Sequence, residues 1–506
     1  MRFYSYQYME TEHTDTYDHV LKYTGIFGGV QGLNIIISLV RNKLVALLLG
    51  PSGMGLASLF QTTVNFISQA TNLGISFSAV RNLSELFDTG DEERIAHFVK
   101  VVRAWSLFTG LAGLLVCMLA GSLLSSATFS WGDHTLHFVL LSPLVCLLAI
   151  TGGETAILKA SRQLRSLAVI QVYGVLAALL ITVPLYYLFG QSGIVPVMVL
   201  IGLVSMLLTI RHSWHLYPFR LSGVRDVLGE GMSMVRLGVA FTLAGILGSG
   251  SDFVIRSYLN NVADLEVVGL FNIGFMMTMT YSGLIFSAME TDYFPRLSAV
   301  NHQREKYNDL INKQIEVTLL LIAPLVVMAL VALPVIIPIL FSNQFLPVVG
   351  MMRVAALSLL FRAVNLPIEY LSLAKGSSTS YLLLEFLYDV FITVLIIGGY
   401  DHYGLDGTGY ALLITAILNS LMVLSYMRWK FGVVIRPGVG KIFSLHFFVT
   451  LLAFYITITC EGWAYWILGI ALSTVSLSVS LYILKQKSHL WEKLKVKMLK
   501  GKCHGN

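Results

Sequence analysis

Long apolar segments alternate with short polar connections along nearly the whole chain. A membrane-spanning helix needs roughly 20 consecutive apolar residues, and about fourteen segments satisfy that requirement. They centre on residues 24–42, 54–79, 102–125, 138–158, 167–189, 192–210, 234–258, 266–290, 315–341, 348–373, 380–399, 406–427, 443–460 and 464–484. The pattern therefore predicts an all-α integral membrane protein that crosses the bilayer many times.

The basic residues in the connections distinguish the two sides of the membrane. From the second connection onward, connections that carry Lys or Arg alternate with connections that carry neither. Lys and Arg are enriched in cytoplasmic loops, so the basic connections are predicted to be cytoplasmic. Both termini are then predicted to lie in the cytoplasm, which requires an even number of spans.

The composition agrees with a lipid environment. The chain has 506 residues, of which 56% are hydrophobic and only 12% are charged, whereas soluble domains have about 25% charged residues. Its four cysteines show neither a disulfide pattern nor metal-ligand spacing. We therefore predict a bilayer-embedded protein with no cofactor and no nucleic-acid partner.

Two halves of the chain, each of about 215 residues, resemble each other. Six spans per half bring the chain back to the same side, so the two repeats have parallel topology. Gly190 and Gly193, between spans five and six, correspond to Gly404 and Gly407, between spans eleven and twelve. Parallel six-span repeats are typical of transporters. The predicted organisation is a six-helix lobe at 1–215, a second at 216–432, two additional spans at 433–484 and a basic, amphipathic cytoplasmic tail at 485–506.

No catalytic motif is present in the sequence. Residues 438–441 (GVGK) lack the first glycine of a phosphate-binding loop, and Ile442 occupies the position of its Ser or Thr. Because the sequence contains no nucleotide-binding domain, transport would be driven by an ion gradient or by the gradient of the substrate. The protein is therefore not expected to be an enzyme.

Several ionisable residues lie inside the apolar spans, where charge is costly and usually faces a bundle interior or a wet cavity. Arg362 lies near the middle of its span, and the structural alternative is an ion pair with Glu369 or with an acid from a neighbouring helix. Four other cations lie toward the external ends of their spans, where interfacial snorkelling is the alternative. A cationic lining of one shared cavity would account for the whole set: Arg41, Lys43, Arg256, Arg353 and Arg362. Four carboxylates near cytoplasmic ends are instead predicted to form structural salt bridges: Glu290, Asp292, Glu385 and Asp389.

The opening segment carries a family resemblance. Residues 22–31 (KYTGIFGGVQ) lead into residues 41–56 (RNKLVALLLGPSGMGL), and this resembles the start of bacterial polysaccharide exporters, the O-antigen (Wzx-type) flippases. Their superfamily also includes the multidrug and toxic-compound extruders (MATE) and the lipid II flippases. The family's typical Lys, followed by Ala-x-x-x-Gly-Pro-x-Gly-x-Gly, is matched at Lys43, Ala46, Gly50, Pro51, Gly53 and Gly55.

One feature of span seven departs from the family. Family members often carry adjacent Asp and Arg there, whereas here Asp252 is followed by Phe253 and the arginine is Arg256. Residues four apart share one helix face, so Asp252 and Arg256 are expected to lie together.

The resemblance implies two six-helix lobes in a V-shaped, MATE-like arrangement and an activity in lipopolysaccharide or related polysaccharide biosynthesis. The implied substrate is an undecaprenyl-pyrophosphate-linked oligosaccharide (an O-antigen or similar repeat unit), moved from the cytoplasmic to the periplasmic leaflet of the bacterial inner membrane by alternating access. The five cations would bind the pyrophosphate, and Glu154 or Asp252 would carry a coupling proton or sodium ion. A polysaccharide polymerase and a chain-length regulator are candidate partners.

Three other functions compete with polysaccharide export. An ion-coupled multidrug exporter should have an acidic or aromatic cavity that suits cationic substrates, and the deep arginines argue against it. A lipid II flippase would need similar chemistry. A membrane-embedded glycosyltransferase or polymerase would need a large external loop, and every external loop predicted here is short.

Overall fold

The computed structural model describes residues 3–218 and 232–487, and every regular element in these two ranges is helical. The α-helices, in chain order, are α1 Phe3–Asn72, α2 Ile75–Thr89, α3 Glu92–Leu119, α4 Gly121–Thr128, α5 Thr135–Ala160, α6 Leu164–Phe189, α7 Ile194–Leu216, α8 Met232–Val262, α9 Leu265–Phe275, α10 Tyr281–Val300, α11 Arg304–Leu340, α12 Val348–Ala374, α13 Ser378–Phe431, α14 Pro437–Thr459 and α15 Gly462–Lys487. A π-helical turn, Met276–Thr280, joins α9 to α10.

Within the described residues, nine helical segments are long and apolar enough to cross a membrane. Three of them have double length: Gly32–Asn72 overlaps the predicted spans 24–42 and 54–79, whereas Arg165–Leu216 and Ser378–Phe431 each contain two predicted spans. The remaining two predicted spans coincide with α8 and with α9 and its continuation through α10. The predicted all-α, multi-pass membrane fold is therefore confirmed. The predicted amphipathic tail lies outside the described residues beyond residue 487.

Each double-length segment bends at a glycine with positive φ. The angles are φ 66° and ψ −173° at Gly50, φ 54° and ψ −131° at Gly190, and φ 59° and ψ −144° at Gly404. A Cβ atom is strongly disfavoured in or near this region, which is essentially restricted to glycine. Gly190 and Gly404, which the repeat pairs with each other, thus make the same kind of bend in the two halves.

We expect Gly404→Ala to lower the free energy of unfolding by about 1–3 kcal/mol, since alanine would be strained in this conformation. No atom lies within 4 Å of a Cβ added at Gly404, so the loss would come from the backbone alone. Denaturant titration of the purified protein in detergent would measure it. Gly398→Ala is the matched control, because Gly398 lies in the same helix with equally open surroundings and alanine favours a helix there. Equal stability of the two variants would contradict the strain argument.

The chain divides into two compact units, Met1–Ser249 and Gly250–Asn506. In the first unit, helices α2, α3 and α5 share a core that includes Ile75, Val102 and Ile157. Gly153 of α5 packs directly against the side chain of Ser106 on α3, and small residues of this kind let membrane helices approach closely. The predicted boundaries at 215, 432 and 484 stay predictions.

In the second unit, α11 packs against α12, α14 and α15, and α12 packs against α13. Gly409 of α13 lies against the backbone of Met351 on α12, which brings these two helices close together. Over an 18-residue stretch, 72% of α12 is buried. Most polar side chains on α12 must therefore find their partners inside the protein, because little of the helix faces water or lipid.

Candidate functional site

A cavity of about 650 Å³ lies inside the second unit, between α9 with its π-helical turn, α12 and both halves of α13. Arg362, Asn365 and Glu369 of α12 line it, and their spacing of three and four residues places them on one helix face. Glu385 and Tyr388 of α13 face them, together with Asn419 of the second half of α13. The spacing of polar residues on these two helices therefore concentrates hydrogen-bonding groups in one cavity.

Arg362 is held at the edge of this cavity by the π-helical turn. Its Nη1 donates to the carbonyl oxygen of Met279 at 3.2 Å, and its guanidinium lies 5.4 Å from the ring centre of Phe286. A π-helical turn leaves carbonyls available to outside donors and is frequent at functional sites. Among the residues whose side chains the structure describes, no carboxylate lies within 4.0 Å of Arg362. An ion pair with Glu369 is therefore not formed, and among the described residues the hydrogen bonds of Arg362 go through Nη1 to Met279.

The carboxylates of the cavity differ in their surroundings. Glu369 accepts a hydrogen bond from Nδ2 of Asn419 at 2.9 Å. Glu385, predicted to form a structural salt bridge, has no hydrogen-bond or ion-pair partner among the described side chains. Asn365 is 3% exposed, and its Oδ1 is buried without a partner in the same described set. Buried acceptors without donors are costly, so the cavity lining favours a ligand that brings hydrogen-bond donors.

Asp252 and Arg256 form the expected one-turn pair on α8. Nη1 of Arg256 lies 2.8 Å from Oδ1 of Asp252, and the Arg256 side chain is only 6% exposed. Its guanidinium also lies 5.6 Å from the ring centre of Phe271 and 5.5 Å from that of Phe275. The pair thus occupies one helix face although the two residues are not adjacent in sequence.

A second polar cluster surrounds Asp389, one turn after Glu385 on α13. Ser251 donates to the carbonyl oxygen of Asp389 at 3.3 Å and also contacts the hydroxyl of Thr393. Asp389 is 8% exposed, and among the described residues its Oδ2 is buried without a hydrogen-bond partner. Asp252 lies close enough to act electrostatically on Asp389. Two carboxylates, two hydroxyls and a carbonyl therefore converge between α8 and α13.

The other predicted cations lie elsewhere. Arg353 lies beside the hydroxyl of Tyr465 on α15 and does not line the 650 Å³ cavity. Arg41 and Lys43 belong to the first unit, where Arg41 is close enough to act electrostatically on Tyr186. A single cavity shared by all five cations stays a prediction.

Glu154, a predicted ion-coupling residue, is part of a buried cluster in the first unit. Its Oε1 accepts from Nε of Arg103 at 2.8 Å and from Nε1 of Trp214 at 3.0 Å. Its Oε2 accepts from the hydroxyl of Ser213 at 2.6 Å and from Nη2 of Arg103 at 3.2 Å. Arg103 also donates to the carbonyl oxygen of Tyr217 at 2.8 Å. Both carboxylate oxygens are fully used in joining α3, α5 and α7, which is the arrangement of a structural ion pair.

Sequence reasoning missed several members of these sites. Arg103 is only one residue inside the predicted span 102–125, so it resembled the basic residues of the preceding connection. Asn365 and Asn419 carry no charge, so they do not stand out inside an apolar span. The spacing of Arg362, Asn365 and Glu369 nevertheless places the three on one helix face. The residues that were missed are therefore neutral or lie at the ends of spans.

Comparison with solved structures finds the same fold in several transporters. An inward-facing multidrug resistance MATE family transporter of the MOP superfamily aligns with a TM-score of 0.65 and 16% identity, over 81% of this chain and 96% of that chain. The lipid II flippase MurJ in an inward closed conformation aligns with a TM-score of 0.65 and 16% identity, over 91% and 99%. A MOP superfamily transporter from Pyrococcus furiosus aligns with a TM-score of 0.58 and 14% identity, over 81% and 95%.

At these identities the similarity shows a common fold. Comparison of the sequence with curated proteins finds no match. Residues 44–350, which are more than half of the chain, match the family described as polysaccharide biosynthesis protein. The chain therefore belongs to the polysaccharide biosynthesis protein family and has the fold of the MOP superfamily transporters.

Proposed function

We propose that this protein is a flippase that moves an undecaprenyl-pyrophosphate-linked oligosaccharide from the cytoplasmic to the periplasmic leaflet of the bacterial inner membrane. The observation that carries the proposal is the 650 Å³ cavity inside a membrane bundle, where the guanidinium of Arg362 lies beside several hydrogen-bonding side chains. Arginine suits contacts with oxygen-rich anionic or polar head groups. Membership of the polysaccharide biosynthesis protein family and the fold of the MOP superfamily transporters support the same function.

In this mechanism the two lobes, 1–215 and 216–432, alternate between openings to the two sides of the membrane, and both termini stay in the cytoplasm. The polar head group passes through the protein interior, while the lipid tail remains in the bilayer. Arg41 and Lys43 in the first lobe and Arg256 and Arg353 in the second are candidates for contacts with the pyrophosphate. A polysaccharide polymerase and a chain-length regulator would act on the product at the outer leaflet.

Deletion of the gene from its host tests the function directly. We expect loss of surface polysaccharide and accumulation of the lipid-linked saccharide in the inner leaflet, both reversed by a plasmid copy. A host that keeps its surface polysaccharide after deletion would exclude this function, provided that no second flippase gene replaces it. Deleting both this gene and any second flippase gene provides that control.

An ion-coupled multidrug exporter is the second candidate, because Glu369, Glu385 and Tyr388 make part of the cavity acidic and aromatic. This function predicts efflux of lipophilic cations such as ethidium from cells that overproduce the protein. Efflux together with normal surface polysaccharide in the deletion strain would favour it. A lipid II flippase predicts instead that deletion stops cell-wall synthesis.

We further propose that Asp252 and Asp389 hold the coupling cation, a proton or a sodium ion. Glu154 suits this role less well, because both of its carboxylate oxygens already accept hydrogen bonds within the buried cluster. Among the described residues, Oδ2 of Asp389 is buried without a partner, and the hydroxyls of Ser251 and Thr393 donate to the backbone carbonyl of the same residue. Hard monovalent cations prefer such oxygen ligands, and Asp389 needs a positive partner at this depth.

Asp389→Asn should therefore reduce gradient-driven transport about tenfold or more, since it removes the charge that the cation neutralises. Proteoliposomes with an imposed pH or sodium gradient would show which gradient accelerates wild-type transport and whether the variant still responds. Glu85→Gln is the matched control, because the Glu85 side chain is 67% exposed. A full response in Asp389→Asn would contradict this assignment of the coupling site.

A further inference from the structure

We infer that the cavity between α12 and α13 binds the saccharide part of the substrate and not its pyrophosphate. This inference rests on the proposed flippase function and assigns the ligand class of one site within it. The residues that carry it are Arg362, Asn365, Glu369, Glu385, Tyr388 and Asn419, all of which line the cavity.

The formal charge of the lining argues against a pyrophosphate. Among the described residues around the cavity, the ionisable acidic and basic groups are two carboxyl groups, Glu369 and Glu385, and one guanidinium, Arg362. Arg362 acts electrostatically on both carboxylates, so its charge is already partly balanced. A pyrophosphate placed here would therefore meet two carboxyl groups, which cannot attract an anion, and only one guanidinium.

The hydrogen-bonding capacity of the lining matches a ligand rich in hydroxyl groups. Glu385 has no donor among the described side chains, and Oδ1 of Asn365 is buried without one. A carboxylate only accepts hydrogen bonds, and an amide oxygen does the same. A pyrophosphate also offers almost only acceptors at neutral pH, whereas each sugar hydroxyl offers a donor and an acceptor. The hydroxyls can therefore satisfy Glu385 and also accept from Arg362.

The size and the walls of the cavity agree with this ligand. A volume of about 650 Å³ lies within the 300–1,000 Å³ typical of sites for small organic molecules and is far larger than a coupling ion needs. The rings of Phe275, Tyr370 and Tyr388 form part of the wall. Such rings provide an apolar face with, in tyrosine, a polar tip, which suits the alternating C–H and O–H surfaces of a pyranose.

A pair of probes separates the saccharide from the pyrophosphate. One probe is farnesyl pyrophosphate without a sugar. The others are farnesyl pyrophosphate linked to a single sugar, which is a hexose, an N-acetylhexosamine or an aminohexose. The affinities of the full-length protein in detergent are compared for wild type, Glu385→Leu and Asn365→Leu. Glu266→Leu is the matched control, since Glu266 is exposed in the first turn of α9, outside the cavity.

We expect at least one sugar-bearing probe to bind wild type about tenfold more tightly than farnesyl pyrophosphate, because charge-assisted hydrogen bonds are gained. Glu385→Leu and Asn365→Leu should reduce that advantage to about twofold without changing the affinity for farnesyl pyrophosphate. A cooperative thermal unfolding transition confirms that each variant is folded. If one of the two variants does not fold, the other still tests the inference.

Two results would overturn the inference. One is a wild-type protein that binds no sugar-bearing probe more tightly than farnesyl pyrophosphate. The other is a cavity variant that loses affinity for both kinds of probe in equal proportion, because the pyrophosphate would then occupy the cavity. Either result leaves the flippase function intact, since that function is decided separately by the surface polysaccharide of the deletion strain.

Discussion

Replacing Arg103 with methionine should lower the free energy of unfolding by about 3–5 kcal/mol, the range expected when one partner of a buried ion pair is removed. The Arg103 and Glu154 side chains are 8% and 4% exposed, and Arg103 supplies two of the four donors to the carboxylate. Without it, Glu154 would remain charged and buried with only Ser213 and Trp214 as partners. The contacts that join α3, α5 and α7 should weaken accordingly.

Denaturant titration in detergent measures this loss, and two further variants define its cause. Arg94→Met removes a surface arginine whose side chain is 77% exposed and should change stability by less than about 0.5 kcal/mol. The double variant Arg103→Met with Glu154→Leu should recover most of the loss, because apolar replacement of a whole buried pair is often close to neutral. If the double variant is less stable than Arg103→Met, the unpaired carboxylate is not the cause.

Arg362→Ala should abolish export of surface polysaccharide while the protein remains in the membrane at its normal level. Losing a charged group that contacts the ligand in an enclosed site costs about 2–5 kcal/mol, which is roughly 30-fold or more in affinity. The change also leaves Glu369 and Glu385 without the guanidinium that partly balances them. Both effects act against binding of a polar head group.

Arg362→Lys separates these two effects, because lysine keeps the charge but has neither the planar geometry nor the number of donors. We expect partial export from Arg362→Lys and none from Arg362→Ala, measured as surface polysaccharide in the complemented deletion strain. Arg81→Ala, at a side chain that is 62% exposed, is the control and should export normally. Arg41→Ala should also abolish export if the first lobe contributes to head-group binding. Normal export from both Arg362→Ala and Arg41→Ala would exclude a cationic site for the substrate.

Much of the fold was predictable because the lipid bilayer imposes simple constraints on sequence. A helix that crosses hydrocarbon must be apolar over roughly 20 residues and must satisfy its backbone hydrogen bonds internally. The predicted spans at 348–373 and 464–484 therefore coincide with α12 and α15 to within a few residues. The repeat pointed to Gly190 and Gly404, which make equivalent bends in the two halves.

The site was less predictable, because hydropathy reports how deep a charge lies and not what it faces. Arg362 and Arg256 were both recognised as deep cations, yet Arg362 faces an open cavity while Arg256 is paired with Asp252 and packed against two aromatic rings. Glu385 was expected to form a structural salt bridge, and among the described residues it instead faces the cavity without a partner. For neutral residues such as Asn365, hydropathy does not distinguish a buried side-chain amide that has no hydrogen-bond partner from an amide on the surface.

The sequence by itself determined the environment of this protein, its helices and the glycines at which the long segments bend, since these depend on local composition and backbone sterics. It also led to the family through a short opening motif. Only the tertiary structure decided which deep charges are paired and which enclose a cavity. Pairing depends on contacts between residues far apart in the chain, such as Arg103 with Glu154 and Glu369 with Asn419, and helix packing alone brings them within hydrogen-bonding distance.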